Sequence, residues 1–398
     1  MTTMWWARGI TFVNAVVLAP EGRIGHTLRV KGERVDGVDV APEPGDVVVD
    51  LNGAIALAGL VNAHDHLELN TLPRLKWRDR HLNVREWIAD FQPRFDSDPR
   101  LAALGPENLC DRLWVGALKN LLSGVTTVCH HNPMHATLRR AFPLRVVRRF
   151  TFSHSLQIDG TALAARHHAT PEDQSWVVHA AEGVDAEAHA EVPMLHRLGC
   201  IDGRTVLVHG VGLCPETAAA SIEAGAGLVW CPSSNDWLFG TTADVRAFDD
   251  ADRLALGTDS RMSGAGDLLD EMRAAFATRQ VSSESLVRLV TTAAAQLLKL
   301  DAAARLTRGT VADIAVIRSA GRDPFDTLAG ATRADVLMTM VAGAPAVGVC
   351  ELRDVFAAAR TPFVNATVDG SPRLVARWIG RRAANLSSGE PGFEVEAA

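Results

Sequence analysis

The 398-residue sequence contains no tyrosine, an absence that by itself excludes no fold and no chemistry. Other absences say more. None of the six cysteines (Cys110, Cys129, Cys200, Cys214, Cys231 and Cys350) forms a CxxC pair, and several lie in apolar runs, so reduced, buried thiols are expected. No apolar run is long enough to span a bilayer. The opening MTTMWWARG lacks a basic segment followed by an apolar stretch and a small-residue cleavage site, so a cytoplasmic location is expected. Lys and Arg do not cluster. Forty basic and 47 acidic residues give a net charge of −7, and pairs such as Arg139-Arg140 are too short to track a phosphate backbone. Neither nucleic acid nor a membrane is therefore expected as a partner.

What is present is a soluble globular composition, 47% hydrophobic and 22% charged, in a chain long enough for a large barrel and a small accessory domain. Both ends read as short β-branched strands between Gly- and Pro-containing turns: Ile10 to Leu18, Thr27 to Val30 and Val47 to Leu51, then Ala312 to Ile317, Val336 to Val341 and Phe363 to Val368. The middle alternates apolar strands with helical segments, as parallel βαβ units do. The expected fold class is α/β: a distorted (β/α) TIM barrel over residues 58–307, with a small β-sandwich domain built from 1–57 and 308–398. The final stretch, Ser387 to Ala398, is polar and acidic, and disorder is expected there. Seven barrel strands are legible: Ala54 to Ala63, Gly124 to Cys129, Val146 to Phe152, Trp176 to His179, Thr205 to His209, Gly227 to Cys231 and Leu254 to Gly257. An eighth either hides between Arg145 and Pro171 or is missing. Pro215 and Glu216 suit the start of a helix that Gly225 can close, and Asp267 to Gln280 and Ser283 to Leu300 also read as helices.

Four strands run from apolar residues into a metal-ligand type at the same end. The first ends in His64-Asp65-His66, where alternate side chains share a face, so both imidazoles can reach one ion while Asp65 points away. The others end in His179, His209 and Asp259. Four convergent buried polar groups are costly unless something binds them together, and a single divalent ion does so. The C-terminal strand ends are also where barrel active sites lie. Glu182, three residues after His179, faces the same ion only if the chain turns, which Gly183 permits. A carboxylate there can take a proton from activated water and pass it to a leaving group.

In order along the chain, GLVNAHDH, VVHAAE, VLVHGVGL, GLVWCPSSN, LALGTDS and ADIAVI resemble the motifs of the amidohydrolase superfamily, in the mononuclear-metal branch of guanine, cytosine and adenosylhomocysteine deaminases and triazine chlorohydrolases. Ala58 stands where that family usually has proline. The resemblance implies that His64, His66, His179 and Asp259 hold one metal ion, zinc or in some members iron. It further implies that His209 is a fifth ligand or orients the attacking water, and that Glu182 shuttles protons. Members with two metals use a bridging lysine, which neither Thr151 to His154 nor Cys129 to His131 supplies, so one ion is expected. His130, His131 and His154 lie at strand ends and are pocket candidates. In the loop after His66, Trp77 or Trp87 is placed to stack on a flat ring.

The expected function is hydrolytic deamination of a small amino-substituted heterocycle (nucleobase-, pterin- or triazine-like) by metal-activated hydroxide, with Glu182, His209 and Asp259 catalytic. Two alternatives stand beside it: hydrolysis of an amide, cyclic amide or other carbon–heteroatom bond, and an inactive binding protein that retains the fold. The expected partner is a small-molecule substrate, and homodimers are common in the family that the motifs resemble.

Overall fold

In the computed structural model the described residues are 9–19, 22–95, 97–104, 108–300 and 303–396, so most of the opening MTTMWWARG lies outside them. Among these residues no helix is long and apolar enough to cross a membrane.

The apolar strands of the middle region form a (β/α) barrel of eight strands: β1 (Leu60–Asp65), β2 (Val125–His130), β3 (Arg145–Val146), β4 (Phe150–Ser153), β5 (Ser175–Ala180), β6 (Thr205–His209), β7 (Gly227–Trp230) and β8 (Leu254–Leu256). Parallel ladders join β3-β2-β1 and β4-β5-β6-β7-β8. The missing eighth strand is β3. What reads in sequence as one strand, Val146 to Phe152, is two, because Arg148 and Arg149 are both exposed and break the alternation a single strand would need. The barrel closes between β8 and β1 through the Asp259 amide, which donates to the His64 carbonyl at 3.1 Å. That approach needs Gly257: a Cβ there would lie 2.7 Å from the His64 Cβ and 2.8 Å from its nitrogen.

Strands covered on both faces should be apolar throughout, and Trp176, Val177 and Val178 of β5 are all fully buried. Val61, Val177, Val206, Val208, Val229 and Ala255 pack together inside the barrel, whereas Trp176, Val178, Leu207, Leu228 and Leu254 pack against the surrounding helices. The helix Pro215–Glu223 has Pro at its first turn and is followed by Gly225 at φ +90°. Ser283 to Leu300 is not one helix but two, Ser283–Leu289 and Thr292–Leu297.

The β-sandwich draws on both chain ends. A four-stranded sheet holds Ile10–Val13, Leu28–Lys31, Arg34–Val38 and Val47–Asp50. In the nine-stranded sheet, Ile55–Ala58 pairs antiparallel with Ile314–Ile317, Ala58 opposite Ile314. The run Ala54 to Ala63 is therefore shared: it ends one sheet at Ala58 and starts the barrel at Leu60. Phe12, Leu28, Val30, Ala56, Val316 and Met338 form the core between the two sheets.

The C-terminal segment departs from expectation. Phe393–Val395 adds an edge strand to the nine-stranded sheet, and the Glu390 side chain is buried against Arg261 and Arg333. Its polar composition misleads because two arginines from distant segments neutralise the one buried carboxylate. All six cysteines are free, but only Cys129, Cys200 and Cys231 are buried; Cys110, Cys214 and Cys350 are exposed.

Candidate metal centre

Strand β1 does not keep strict alternation. Its pairing with β2 shifts register between Asn62 and Asp65, so Ala63 faces the interior core and His64 nevertheless joins the imidazole cluster. His64, His66 and His179 each offer a ring nitrogen within 4.8 Å of the others. The His66 and His179 Nε2 atoms are 3.3 Å apart, and Asp259 Oδ1 lies 3.6 Å from His66 Nε2 and 3.8 Å from His64 Nε2. His209 stands one step out, its ring 5.4 Å from that of His179 and its Nε2 3.4 Å from Glu182 Oε1. The sequence-derived residues thus come together at one end of the barrel, with three histidines and Asp259 innermost and His209 with Glu182 beside them.

Each imidazole but one is held by its outer nitrogen. His66 Nδ1 meets Asn132 Nδ2 at 3.1 Å, His179 Nδ1 meets the His154 carbonyl at 2.8 Å, and His209 Nδ1 meets Asn235 Oδ1 at 2.9 Å. The acceptors on His179 and His209 take the Nδ1 proton and leave Nε2 free to face inward, as partners of metal-binding imidazoles do, whereas His66 Nδ1 accepts from Asn132. His64 is fully buried and neither of its ring nitrogens has a hydrogen-bond partner. A buried, unsatisfied imidazole is expensive, and a cation at Nε2 would give one of its two nitrogens a partner. Burial, reinforced by the neighbouring imidazoles, holds His64 and His179 well below the usual histidine range, so both are neutral and have lone pairs to give. Burial raises the Asp259 carboxyl, but the charges of His66 and His209 and hydrogen bonds from Ser263 and Ser234 outweigh it, bringing the group to about 2. The two hydroxyls reach Oδ2 at 2.7 and 2.8 Å. This donor set of three imidazoles and one carboxylate fits a divalent transition metal.

Glu182 behaves differently. Burial, with Asp259 and Glu191 nearby, pushes its carboxyl well above the ordinary range. The turn that aims it inward is not made by Gly183. Ala181 takes φ +53°, with its amide donated to the buried Glu191 Oε2 at 2.8 Å. Gly183 instead serves close approach, since a Cβ there would lie 2.5 Å from the Leu82 carbonyl oxygen. His209 and Asp259 also have positive φ, +76° and +53°, an uncommon conformation for side chains of this kind and one found at functional sites.

Beneath the cluster lies a network that local sequence patterns do not announce. Asp65 accepts from Asn120 at 2.7 Å, Asn70 at 2.8 Å and Lys119 at 3.3 Å, with both members of the Lys119–Asp65 pair fully buried. Lys119 also donates to Asn70 Oδ1 at 2.8 Å and Thr258 Oγ1 at 3.0 Å. The Arg261 amide reaches the same Asn70 oxygen at 2.9 Å, and its guanidinium forks onto Glu390 at 2.9 and 3.0 Å. The C-terminal segment is thus tied, through Arg261, to the strand end that carries Asp259.

A cavity of about 350 Å3 opens above the cluster, reaching His66, His179, Glu182, His209 and Asp259 at its inner end. Of the sequence candidates, His154 and Trp87 line it, whereas His130, His131 and Trp77 do not. His131 is packed behind the cluster, its ring 4.2 Å from that of His179, and His130 Nδ1 accepts from the Leu67 amide at 3.3 Å. The partners Ser234, Asn235 and Ser263 were not individually foreseen; the signal for the first two is the CPSSN run that follows β7.

Comparison with known proteins agrees with this architecture. The amidohydrolase family profile matches residues 153–346. The chain is 27% identical over 324 residues to a 5-methylthioadenosine/S-adenosylhomocysteine deaminase of Haloarcula marismortui, covering 69% of this chain and 75% of that one. It is 25% identical over 376 residues to an 8-oxoguanine deaminase of Pseudomonas aeruginosa, covering 73% and 82%. Among solved structures, the zinc-complexed atrazine chlorohydrolase of Arthrobacter aurescens superposes with a TM-score of 0.69 at 19% identity, over 88% of this chain and 99% of that one. Residues 153–346 thus carry the amidohydrolase family pattern, on a fold shared over most of the chain with the structures compared.

Proposed function

We propose that this protein is a metal-dependent hydrolase that releases ammonia from a small amino-substituted heterocycle, with one divalent ion held by His64, His66, His179 and Asp259. The observation that carries the reading is the inward convergence of three imidazoles and a carboxylate on a point next to the buried Glu182. Two relatives are deaminases of purine-type compounds, and a structural neighbour carries zinc, which favours zinc here. Residues 58–307 would form the catalytic barrel, and 1–57 with 308–398 its β-sandwich companion.

The ion, when bound, lowers the pKa of a water molecule towards about 7. Glu182, whose carboxyl burial holds above its ordinary range, is poised to protonate a ring nitrogen and later to help the amine depart. Asn235 fixes His209 so that its Nε2 faces Glu182, and His209 with Asp259 positions the attacking water. Ser234 and Ser263 keep Asp259 ionised.

The test is ammonia release from a panel of amino-purines, pyrimidines, pterins and triazines by the zinc-loaded protein. Release from at least one compound, lost on chelation, is the expected result. Products that gain one water and keep their amino group would instead establish ring opening.

A further inference from the structure

The outer wall of the cavity is built from a helix face that the protein covers only in part, Trp87 and Phe91 resting on Leu72, Leu75, Leu101 and Met262. In Val84–Phe91, the apolar residues Val84, Trp87, Ile88 and Phe91 recur at the spacing of a core-facing stripe, yet no residue of this helix is buried. All four line the cavity that ends at the metal centre. Phe95, 43% exposed, extends the stripe, and Ile158, 56% exposed, stands with it on the cavity lining. The rings are ordered among themselves, Trp87 on Phe91 at 5.7 Å and Phe91 on Phe95 at 5.9 Å between centroids. Trp87 Nε1 is fixed on the Leu75 carbonyl at 2.9 Å, so its indole presents carbon to the cavity.

Among the described lining residues there is no Lys or Arg, and the only carboxylates, Glu182 and Asp259, are at the metal end. Nothing in the wall can neutralise a phosphate or carboxylate. Away from the metal end, the polar side chains are Gln92, His154 and Ser155, and Ser155 Oγ already accepts from the Ile158 amide at 3.2 Å. A sugar placed there would find few hydrogen-bond partners for its hydroxyls and would cover apolar surface less well than an alkyl group.

We infer that the site takes an uncharged heterocycle whose amino-bearing ring enters the imidazole cluster and whose alkyl or aryl substituent lies along the 84–95 wall, in preference to nucleosides or anionic compounds. The chemistry at the ring rests on the deaminase reading above; the preference for the substituent rests on the wall alone.

The experiment uses the full-length, zinc-loaded protein and alkyl-substituted aminopurines from methyl to pentyl, with the ribosyl and carboxymethyl counterparts. Calorimetry gives Kd, and ammonia release gives kcat/KM. Burying a methylene is worth about 0.8 kcal/mol, so Kd should fall about fourfold for each one added. Ile88→Asp, on a helix with no buried residue, should erase that gain, and Phe91→Ser should reduce it; circular dichroism reports that both fold. A Kd that is flat or rises with chain length, absent binding of every alkyl member, or tighter binding of the ribosyl or carboxymethyl compound overturns the inference. Ammonia released from those last compounds alone leaves the deaminase reading standing. Chain-length-dependent binding with no ammonia from any member overturns the deaminase reading and leaves the wall's preference intact.

Discussion

At the inner end of the cavity, His64, Asp65 and Lys119 are wholly buried and the carboxylate of Asp65 is met from three sides, whereas on the outer wall the helix Val84–Phe91 buries none of its residues. The two regions face the same ligand but answer to different needs. Orienting imidazole tips within tenths of an ångström requires partners that over-determine each ring, and those partners must themselves be fixed. A wall that only excludes water needs apolar surface and can wait for the ligand to complete its packing. Strain follows the same division: His209, Asp259 and Ala181, all with positive φ, belong to the inner end.

The contrast can be broken first at Glu182, the proposed proton shuttle. Glu182→Gln should cut kcat by about a hundredfold to ten-thousandfold while leaving zinc bound, because it removes the mobile proton without touching a ligand. Steady-state kinetics with metal analysis on the same sample checks it; unchanged kcat would remove Glu182 from the mechanism.

The next largest effect belongs to the buried pair. Lys119→Met strands Asp65 in the interior and should cost about 3–5 kcal/mol in urea unfolding, whereas Phe95→Ser on the open wall should stay within about 0.5 kcal/mol. Equal costs would erase the distinction between the two regions.

A third effect sharpens the comparison through pH. Burial raises the Glu271 carboxyl to about 8, while its Oε1 accepts from the Ser233 amide at 2.8 Å at the start of the helix that carries Ser234 and Asn235. A folded-state value above the ordinary one means the folded chain holds the proton more tightly. That stability is complete below the ordinary carboxyl value of 4.5 and is lost as pH rises through about 8. Tm should therefore fall across that window, and Glu271→Gln should flatten the fall. A variant with the wild-type slope would place the titration elsewhere.

How much of this was legible varies with the range of the interaction. His64, His66, His179, His209 and Asp259 each end an apolar strand, so a local pattern locates them and barrel topology gathers them. Glu182 was legible by spacing, but its turn was not, because Ala181 is held by Glu191, whose position on a following helix carries no local mark. The Asp65–Lys119 pair spans 54 residues and the Arg261–Glu390 fork 129, distances at which no periodicity survives. The short β3 was hidden by its continuity with β4, since Val146 and Phe150 read as one strand until the exposed Arg148 and Arg149 are placed. The apolar wall was visible only as the single residue Trp87. Its stripe is an ordinary amphipathic pattern, and its exposure to the cavity depends on what the fold places opposite it.

The most direct measurement is anomalous scattering at the zinc edge from crystals of the zinc-loaded protein. One peak within bonding reach of His64 Nε2, His66 Nε2, His179 Nε2 and an Asp259 carboxylate oxygen is the expected result. No peak at that point, or a peak among other side chains, would contradict the shared-cation account.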